Sequence, residues 1–344
     1  MSWMIYGANG YTGALLAEHA VAAGERPVLA GRSADAVRTL AERLGLPWRA
    51  FDLAAPFDGE LADVEVVAHC AGPFSHTSAP MVAACLRTGT HYLDLTGEVD
   101  VFEAIYARHD DALRAGVALV PGVGFDVVPT DYLAVTLAAE LPTATQLDIA
   151  LISRGGFSAG TLKTGVEGMR QGGRVRAGGE LVPVPLAHRA LRVALERGHA
   201  TVHSVPLGDI SSAFRATQIP NITNFTVVPL GGLANRFDPL IRTAMNLPGA
   251  GAAVGRLIGA VVSGPSEQTR ASTRSELWAQ ARDESGNTAQ ARVCVANTYE
   301  FTVASTLAAV RATLAGVLPG AWTPSQAFGH EFFEAVNGAR AQLI

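Results

Sequence analysis

The sequence has few of the residues that most often build metal centres or disulfide frameworks. Its 344 residues include three cysteines, Cys70, Cys85 and Cys294. Their spacing matches neither a zinc site nor an even-numbered set of disulfides. We therefore expect no bound metal and a reducing, cytoplasmic environment.

Lysine, net positive charge and long apolar runs are also scarce. Lys163 is the single lysine and the formal net charge is −5, so we expect no nucleic-acid partner. The apolar stretch from Thr243 to Val262 is broken by Pro248 and Arg256, and it falls short of the ~20 apolar residues of a membrane helix. We expect no integral membrane segment there, but buried helices at a domain or homodimer interface. A first strand within the first few residues predicts no signal peptide.

The most informative feature that is present is a glycine-rich turn near the N terminus. Met4-Ile5-Tyr6 is typical of a strand, and an apolar helical pattern follows from Leu15. Glycines permit a tight turn and a close approach of pyrophosphate, and the helix N terminus attracts the phosphates. The spacing is G-x-x-G-x-x-G, so the context of strand, turn, helix and strand carries the prediction. The predicted cofactor-binding residues of this turn are Gly7, Asn9, Gly10, Tyr11, Thr12 and Gly13.

The end of the second predicted strand indicates which dinucleotide binds. NAD-binding folds usually place an acidic residue there, on the ribose 2′-hydroxyl. This chain has Arg32 and Ser33 instead, which suit a 2′-phosphate because arginine binds phosphate with two hydrogen bonds. We assign Asp35 to the first turn of the next helix, and we therefore predict NADP(H) as the cofactor.

The first ~125 residues alternate strands with helices, as in a doubly wound parallel sheet of the Rossmann type. Further strands are predicted over residues 48–52, 64–69, 91–95 and 117–121. Ligands of such sheets bind beyond the carboxyl ends of the strands. The loops at those ends add these predicted cofactor-binding residues: Asp52, Leu53, Ala71, Gly72, Pro73 and Phe74. We expect the nicotinamide beside Ala71, Gly72 and Pro73, which follow the fourth predicted strand and are small or rigid enough to allow a close approach.

The pattern changes after Thr130, where an α+β domain with a mostly antiparallel sheet is predicted. Two runs of alternating residues flank a hairpin turn at 283–287, and a helix is predicted over 298–316. The predicted domains are a Rossmann NADP-binding domain (1–128), a substrate and dimerisation domain (129–322) and a C-terminal helix (323–344) that packs back on the first domain. Within 323–344 we expect one helix, from Ser325 to Leu343.

Several motifs resemble the saccharopine-dehydrogenase-like oxidoreductases. They include residues 71–74 (AGPF), 89–98 (GTHYLDLTGE) and 124–131 (GFDVVPTD). Residues 155–161 (GGFSAGT) are similar to the branch that contains trans-acting enoyl reductases. The resemblance implies an NADP-binding Rossmann domain and a substrate domain, and it leaves the substrate open, because members reduce C=N or C=C bonds.

The sequence does not name a proton donor, but two residues are candidates for catalysis. Asp126 could hold a substrate amine or a ribose hydroxyl, or it could be a helix cap or hinge. Lys163 could donate a proton if burial lowered its pKa, or it could lie on a solvated helix face. The predicted substrate-binding residues are His76, Phe157 and Ser158, with Ser158 also expected to cap a helix.

These observations predict an NADPH-dependent reductase of a small-molecule substrate. Reduction of a C=C bond in an enoyl thioester or unsaturated carbonyl compound is favoured. The alternatives are reduction of an imine or amino-acid C=N bond, and a sensor or scaffold that binds NADPH without turnover.

Overall fold

The computed structural model describes residues 2–162, 172–228 and 264–344, with the isolated residues 236, 243, 257 and 262. Two compact units divide the chain. The first unit comprises Met1–Thr96, Asp100–Val128 and Tyr299–Val336. The second unit comprises Gly97–Val99, Pro129–Thr298 and Asn337–Ile344.

A seven-stranded, fully parallel sheet forms the centre of the first unit. Its strand order is β15-β6-β5-β4-β1-β2-β3. The strands are β1 (Trp3–Tyr6), β2 (Val28–Gly31), β3 (Trp48–Ala50), β4 (Val66–His69), β5 (His91–Asp94), β6 (Ala118–Val120) and β15 (Gly320–Ala321). The first six follow the order of a Rossmann fold, in which the direction of winding reverses between β1 and β4. The predicted doubly wound sheet is confirmed.

Helices cover both faces of this sheet, which explains why its central strands are apolar throughout. Met4 and Ile5 point to opposite faces of β1, yet both are fully buried. The helices with residues in this unit are α1 (Tyr11–Ala22), α2 (Ala34–Leu44), α3 (Phe74–Thr88), α4 (Val99–Tyr106), α5 (His109–Ala115), α9 (Thr298–Ala315), α10 (Pro324–Phe328) and α11 (Glu331–Asn337).

Helix α9 belongs to the first unit, whereas the sequence placed residues 299–322 in the second domain. Its apolar side chains Tyr299, Val303 and Leu307 are buried in the same core cluster as Ile5 of β1. The following strand β15 then pairs with β6. The units therefore differ from the predicted domains. A helix belongs to the unit in which its apolar face is buried, whatever its position in the chain.

The second unit contains a nine-stranded sheet in which most neighbours are antiparallel, as predicted. Among its described strands, β7 and β12 form the one parallel pair. The strands are β7 (Ala144–Ile152), β8 (Gly173–Ala177), β9 (Glu180–Val184), β10 (Ala190–Ala194), β11 (His199–Ser204), β12 (Asn221–Thr226), β13 (Arg274–Asp283), β14 (Thr288–Ala296) and β16 (Gln342–Leu343). Helices α6 (Val128–Glu140), α7 (Asp209–Thr217) and α8 (Glu267–Ser272) accompany them.

The hairpin predicted at 283–287 joins β13 to β14, and the amide of Asn287 donates to Asp283 Oδ1 at 2.8 Å. The single C-terminal helix predicted from Ser325 to Leu343 is wrong. Helix α10 ends before Gly329, α11 follows, and β16 pairs with β14, because the edge of that sheet offers unpaired backbone groups to the chain terminus. None of the helices within the described residues has the length and apolar character needed to cross a membrane.

Candidate functional site

The glycine-rich turn lies between β1 and α1, at the carboxyl edge of the first sheet. Gly7 has a φ of +84°, a conformation that side chains with a Cβ rarely adopt. A Cβ at Gly7 would lie 2.8 Å from the amide nitrogen and the Cβ of Ala71. The turn is held against β2 by two hydrogen bonds, from the amides of Gly7 and Ala8 to the carbonyl of Ala30. Its backbone is therefore fixed before any ligand binds.

The N terminus of α1 suits a pyrophosphate. Gly10 is the N-cap residue, and among the described residues no side chain caps this end. The first turn of α1 holds no carboxylate. A helix start without an acidic or capping side chain leaves its amides and the positive end of its dipole to an anion. Asn9 and Gly10 are exposed beside it.

The end of β2 suits a 2′-phosphate. Arg32 is exposed, and among the described residues no carboxylate forms an ion pair with it. Ser33 is the N-cap residue of α2, yet its hydroxyl makes no capping hydrogen bond. Asp35 lies in the first turn of α2, as predicted, and accepts a hydrogen bond from Arg38 at 2.7 Å. A guanidinium and a hydroxyl thus remain for a phosphate.

The ends of β1, β2 and β3 meet around the phenol of Tyr6. Its hydroxyl donates to the carbonyl of Phe51 at 3.1 Å. The pKa of Tyr6 is raised to about 12, mainly by burial and also by the nearby charge of Asp52, while the charge of Arg32 acts to lower it. Arg32 and Asp52 therefore both lie within electrostatic reach of one buried phenol. Leu53 packs partly buried against the same core.

The loop after β4 is the predicted place for the nicotinamide. It runs through Ala71, Gly72 and Pro73, with a cis peptide bond between the last two, and Pro73 is the N-cap residue of α3. Phe74 is buried in the core, so its side chain supports this loop and only its backbone is left for a cofactor. His76 is exposed in the first turn of α3.

A buried carboxylate, which sequence reasoning missed, ties together the loops after β5 and β6. Asp94 Oδ1 accepts from the amides of Thr96 and Gly122 at 3.0 and 2.8 Å. Asp94 Oδ2 accepts from the hydroxyl of Tyr92 at 2.8 Å. The signal was present, because an aspartate at the end of an otherwise apolar buried strand needs such partners. The same reasoning applies to His69 at the end of β4.

Asp126 lies between β6 and α6, in a loop held by helix α9. The amide of Phe125 donates to Thr302 Oγ1 at 3.1 Å, and Ser305 Oγ donates to the carbonyl of Val123 at 2.8 Å. Desolvation by the surrounding protein raises the pKa of Asp126 to about 6. A carboxyl group with such a pKa can exchange a proton near neutral pH.

Two predicted substrate-binding residues lie in the second unit. Phe157 is 45% exposed, a large share for an aromatic side chain. Ser158 is buried and caps the helical residues 159–162, because its Oγ accepts from the amide of Thr161 at 3.3 Å. The predicted capping role of Ser158 is confirmed. Lys163 and almost all of the segment from Thr243 to Val262 lie outside the described residues.

Comparison with known proteins identifies the first part of the chain. Residues 3–120 match the model of the family described as the saccharopine dehydrogenase NADP-binding domain. These residues thus resemble an NADP-binding domain, which confirms the predicted resemblance and the predicted cofactor, NADP.

Curated relatives match about half of the chain. A trans-acting enoyl reductase of Mycobacterium tuberculosis is 34% identical over 184 residues, which is 48% of this chain and 44% of that protein. A trans-acting enoyl reductase of Mycobacterium leprae is 36% identical over 138 residues, which is 37% of this chain and 33% of that protein. The aligned part is thus less than half the length of each relative.

Among solved structures, a yeast enzyme has a similar fold. Saccharopine dehydrogenase (L-Glu forming) from Saccharomyces cerevisiae aligns with a TM-score of 0.67 and 11% sequence identity, covering 100% of this chain and 99% of that chain. At this identity the likeness shows that the two proteins share a fold.

Proposed function

We propose that the protein is an NADPH-dependent reductase whose cofactor lies along the carboxyl edge of the first sheet. The glycine turn and the N terminus of α1 would hold the pyrophosphate, and Arg32 with Ser33 would hold the 2′-phosphate. The single observation that carries the preference for NADP is the exposed Arg32, which has no ion-pair partner among the described residues. The matched family, an NADP-binding domain, supports the same assignment.

Exchange of Arg32 for alanine tests this assignment. Loss of charge-assisted hydrogen bonds to a phosphate should weaken NADPH binding about ten- to a hundredfold and leave NADH binding unchanged. Arg38→Ala removes the same charge six residues further along the chain, where the guanidinium pairs with Asp35, and should alter neither affinity. If the ratio of NADPH to NADH affinity were unchanged in Arg32→Ala, Arg32 would not bind the 2′-phosphate.

We propose further that the reaction is reduction of a C=C bond in an enoyl thioester or unsaturated carbonyl compound. Two curated relatives at 34% and 36% identity carry the name trans-acting enoyl reductase, which supports this substrate class. NADPH, when bound, supplies the hydride for one carbon of the double bond. The protein must then deliver a proton to the other carbon and polarise the carbonyl group.

Asp126 is our candidate for the proton delivery. It lies at the carboxyl end of β6, on the edge where ligands of Rossmann sheets bind. Its raised pKa, about 6, keeps part of the population protonated near neutral pH. For the alternative reaction, reduction of an imine, the ionised form of Asp126 would instead hold a substrate amine. The two reactions therefore require opposite charge states of one side chain.

Single-turnover oxidation of enzyme-bound NADPH separates these alternatives. The absorbance of NADPH is followed after mixing with a panel of enoyl thioesters, and then with a panel of imines. Oxidation by enoyl thioesters alone supports our proposal, whereas oxidation by imines alone would replace it. Tight NADPH binding without oxidation by either panel favours a sensor. Full turnover in Lys163→Met would exclude a catalytic role for Lys163, the second predicted catalytic residue.

A further inference from the structure

We propose that a hydrogen-bonded pair, the buried His69 and the half-buried Thr77, positions the Ala71–Pro73 loop for the nicotinamide end of the cofactor. Sequence reasoning singled out neither residue, and neither is among the predicted cofactor contacts. The inference rests on the proposed function, because it takes the Ala71–Pro73 loop as the nicotinamide subsite.

The hydrogen bonds run from the imidazole to the loop backbone. Thr77 Oγ1 donates to the carbonyl of Ala71 at 2.6 Å and lies 3.2 Å from the carbonyl of Pro73. His69 Nε2 lies 3.0 Å from the same Oγ1. A hydroxyl has one hydrogen, which here points at the backbone. The hydroxyl is therefore the acceptor toward His69, and Nε2 of the imidazole carries the donated hydrogen.

The surroundings of His69 keep the imidazole neutral and in place. The residue is fully buried, and its ring lies against those of Tyr6, Phe74 and Tyr92. Desolvation lowers the pKa of His69 to about 3. Its Nδ1 has no hydrogen-bond partner within the described part of the chain. A phenylalanine ring would fill the same space without burying an unpaired nitrogen. The feature that histidine adds at this position is the hydrogen that Nε2 donates to Thr77.

The loop so anchored is also in contact with the dinucleotide turn. A Cβ at Gly7 would meet Ala71 at 2.8 Å, so the two segments leave no spare room between them. Thr77 sits on α3, one helical turn beyond Pro73, and its hydroxyl spans the bend between loop and helix. The pair thus sets where the Ala71 carbonyl lies relative to the turn.

Two ligands, one with and one without the nicotinamide, distinguish a role in positioning the loop from a general loss of structure. Affinities are measured for NADPH and for adenosine 2′,5′-bisphosphate, which has the adenosine phosphates but no nicotinamide. We expect Thr77→Val and His69→Phe to weaken NADPH binding roughly five- to tenfold, with adenosine 2′,5′-bisphosphate unchanged within about twofold. Thr77→Ser keeps the hydroxyl and should restore the wild-type ratio. Thr88→Val is the control, because the hydroxyl of Thr88 bonds a helical carbonyl at the far end of α3.

An equal loss of affinity for both ligands, or no loss for either, would overturn the inference. His69→Phe keeps an aromatic ring in the cluster, so the test stands even if Thr77→Val fails to fold. The outcome is independent of turnover. If the wild-type protein binds NADPH but reduces no substrate, the proposed reaction is refuted, and the two affinities still test the role of His69 and Thr77. A wild-type protein that does not bind NADPH refutes both.

Discussion

At the scale of the residue, Asp126 combines a position at the first sheet's edge with a raised proton affinity. Asp94 lies on the same edge, but its two oxygens already accept three hydrogen bonds. Asp52 accepts from the amide of Ala54 and is exposed. The desolvated carboxyl of Asp126, with its pKa of about 6, is therefore the group to test for proton transfer.

For enoyl reduction, kcat/KM of the wild type should fall about tenfold per pH unit above pH 6, because the protonated form of Asp126 is required. Asp126→Asn should lower kcat by ~100-fold or more and abolish this dependence, with KM little changed. The pH profile of kcat/KM is the measurement. A profile that rises through pH 6 would indicate that the carboxylate holds a substrate amine.

The titration of Asp126 can be checked without any substrate. Its pKa is raised in the folded state, so its contribution to stability is fully present below the pKa of the unfolded chain. That contribution is lost as pH rises through about 6. The Tm of the wild type should therefore fall relative to that of Asp126→Asn between pH 5 and 7. A constant difference in Tm over this range would contradict a raised pKa.

Single residues also show where sequence reasoning stops. Arg32 and Ser33 were predictable, because their place after a strand fixes which part of a dinucleotide they could meet. Asp94 and His69 were not singled out, because the sequence shows them as polar interruptions at strand ends and does not show which amides or hydroxyls fold against them.

At the scale of the element, the start of α1 depends on the absence of a side chain at position 13. A Cβ at Gly13 would lie 2.3 Å from the carbonyl oxygen of Gly7 and 2.9 Å from Ala8 Cα. Both contacts are with backbone, which cannot move aside without shifting the turn. The third glycine of the motif is thus required for packing of helix against strand.

We expect Gly13→Ala to lower the free energy of unfolding by about 2 kcal/mol and to weaken NADPH binding. Denaturant unfolding and NADPH titration are the measurements. Gly59→Ala is the matched control, because no atom lies within 4 Å of a Cβ at Gly59. Equal stability of the two variants would show that α1 tolerates a shift that the geometry forbids.

Elements with strong periodicity were predictable, and short or interrupted ones were not. The strands around β4 and the β13–β14 hairpin follow directly from apolar runs and turn residues. Strands β9 and β10 carry mostly exposed or half-buried residues, and β15 and β16 are two residues long each. Such strands form because they pair with the edge of a sheet, and this pairing is hard to predict from the local sequence.

At the scale of the whole molecule, helix α9 returns the chain to the first sheet before the last strand, β16, joins the second sheet. The side chain of Leu307 is buried in the first sheet's core cluster. Chain order suggested the opposite assignment, because α9 follows β14 directly. The domain to which a helix belongs is thus decided by the distant segments on which its apolar face packs. The periodicity of apolar residues in its sequence does not show which segments these are.

Leu307→Ala should therefore destabilise the first unit, by about 2–4 kcal/mol. Bound NADPH should raise the Tm of this variant, since a ligand that binds the folded state stabilises it. Leu318→Ala is the control, because Leu318 is 75% exposed and should change stability by less than ~0.5 kcal/mol. A similar loss in both variants would contradict the placement of α9. A homodimer and a cytoplasmic location stay predictions at this scale.

The central claim, an NADPH-dependent reduction of a C=C bond, is tested most directly by following the transferred hydrogen. The protein is mixed with NADPH that carries two deuterium atoms at C4 of the nicotinamide and with an enoyl thioester, and the product is analysed by mass spectrometry. We predict a saturated thioester that carries one deuterium, formed with NADPH and not with NADH at the same concentration. Recovery of the unreduced thioester from every mixture, with NADPH bound but unoxidised, would contradict the account.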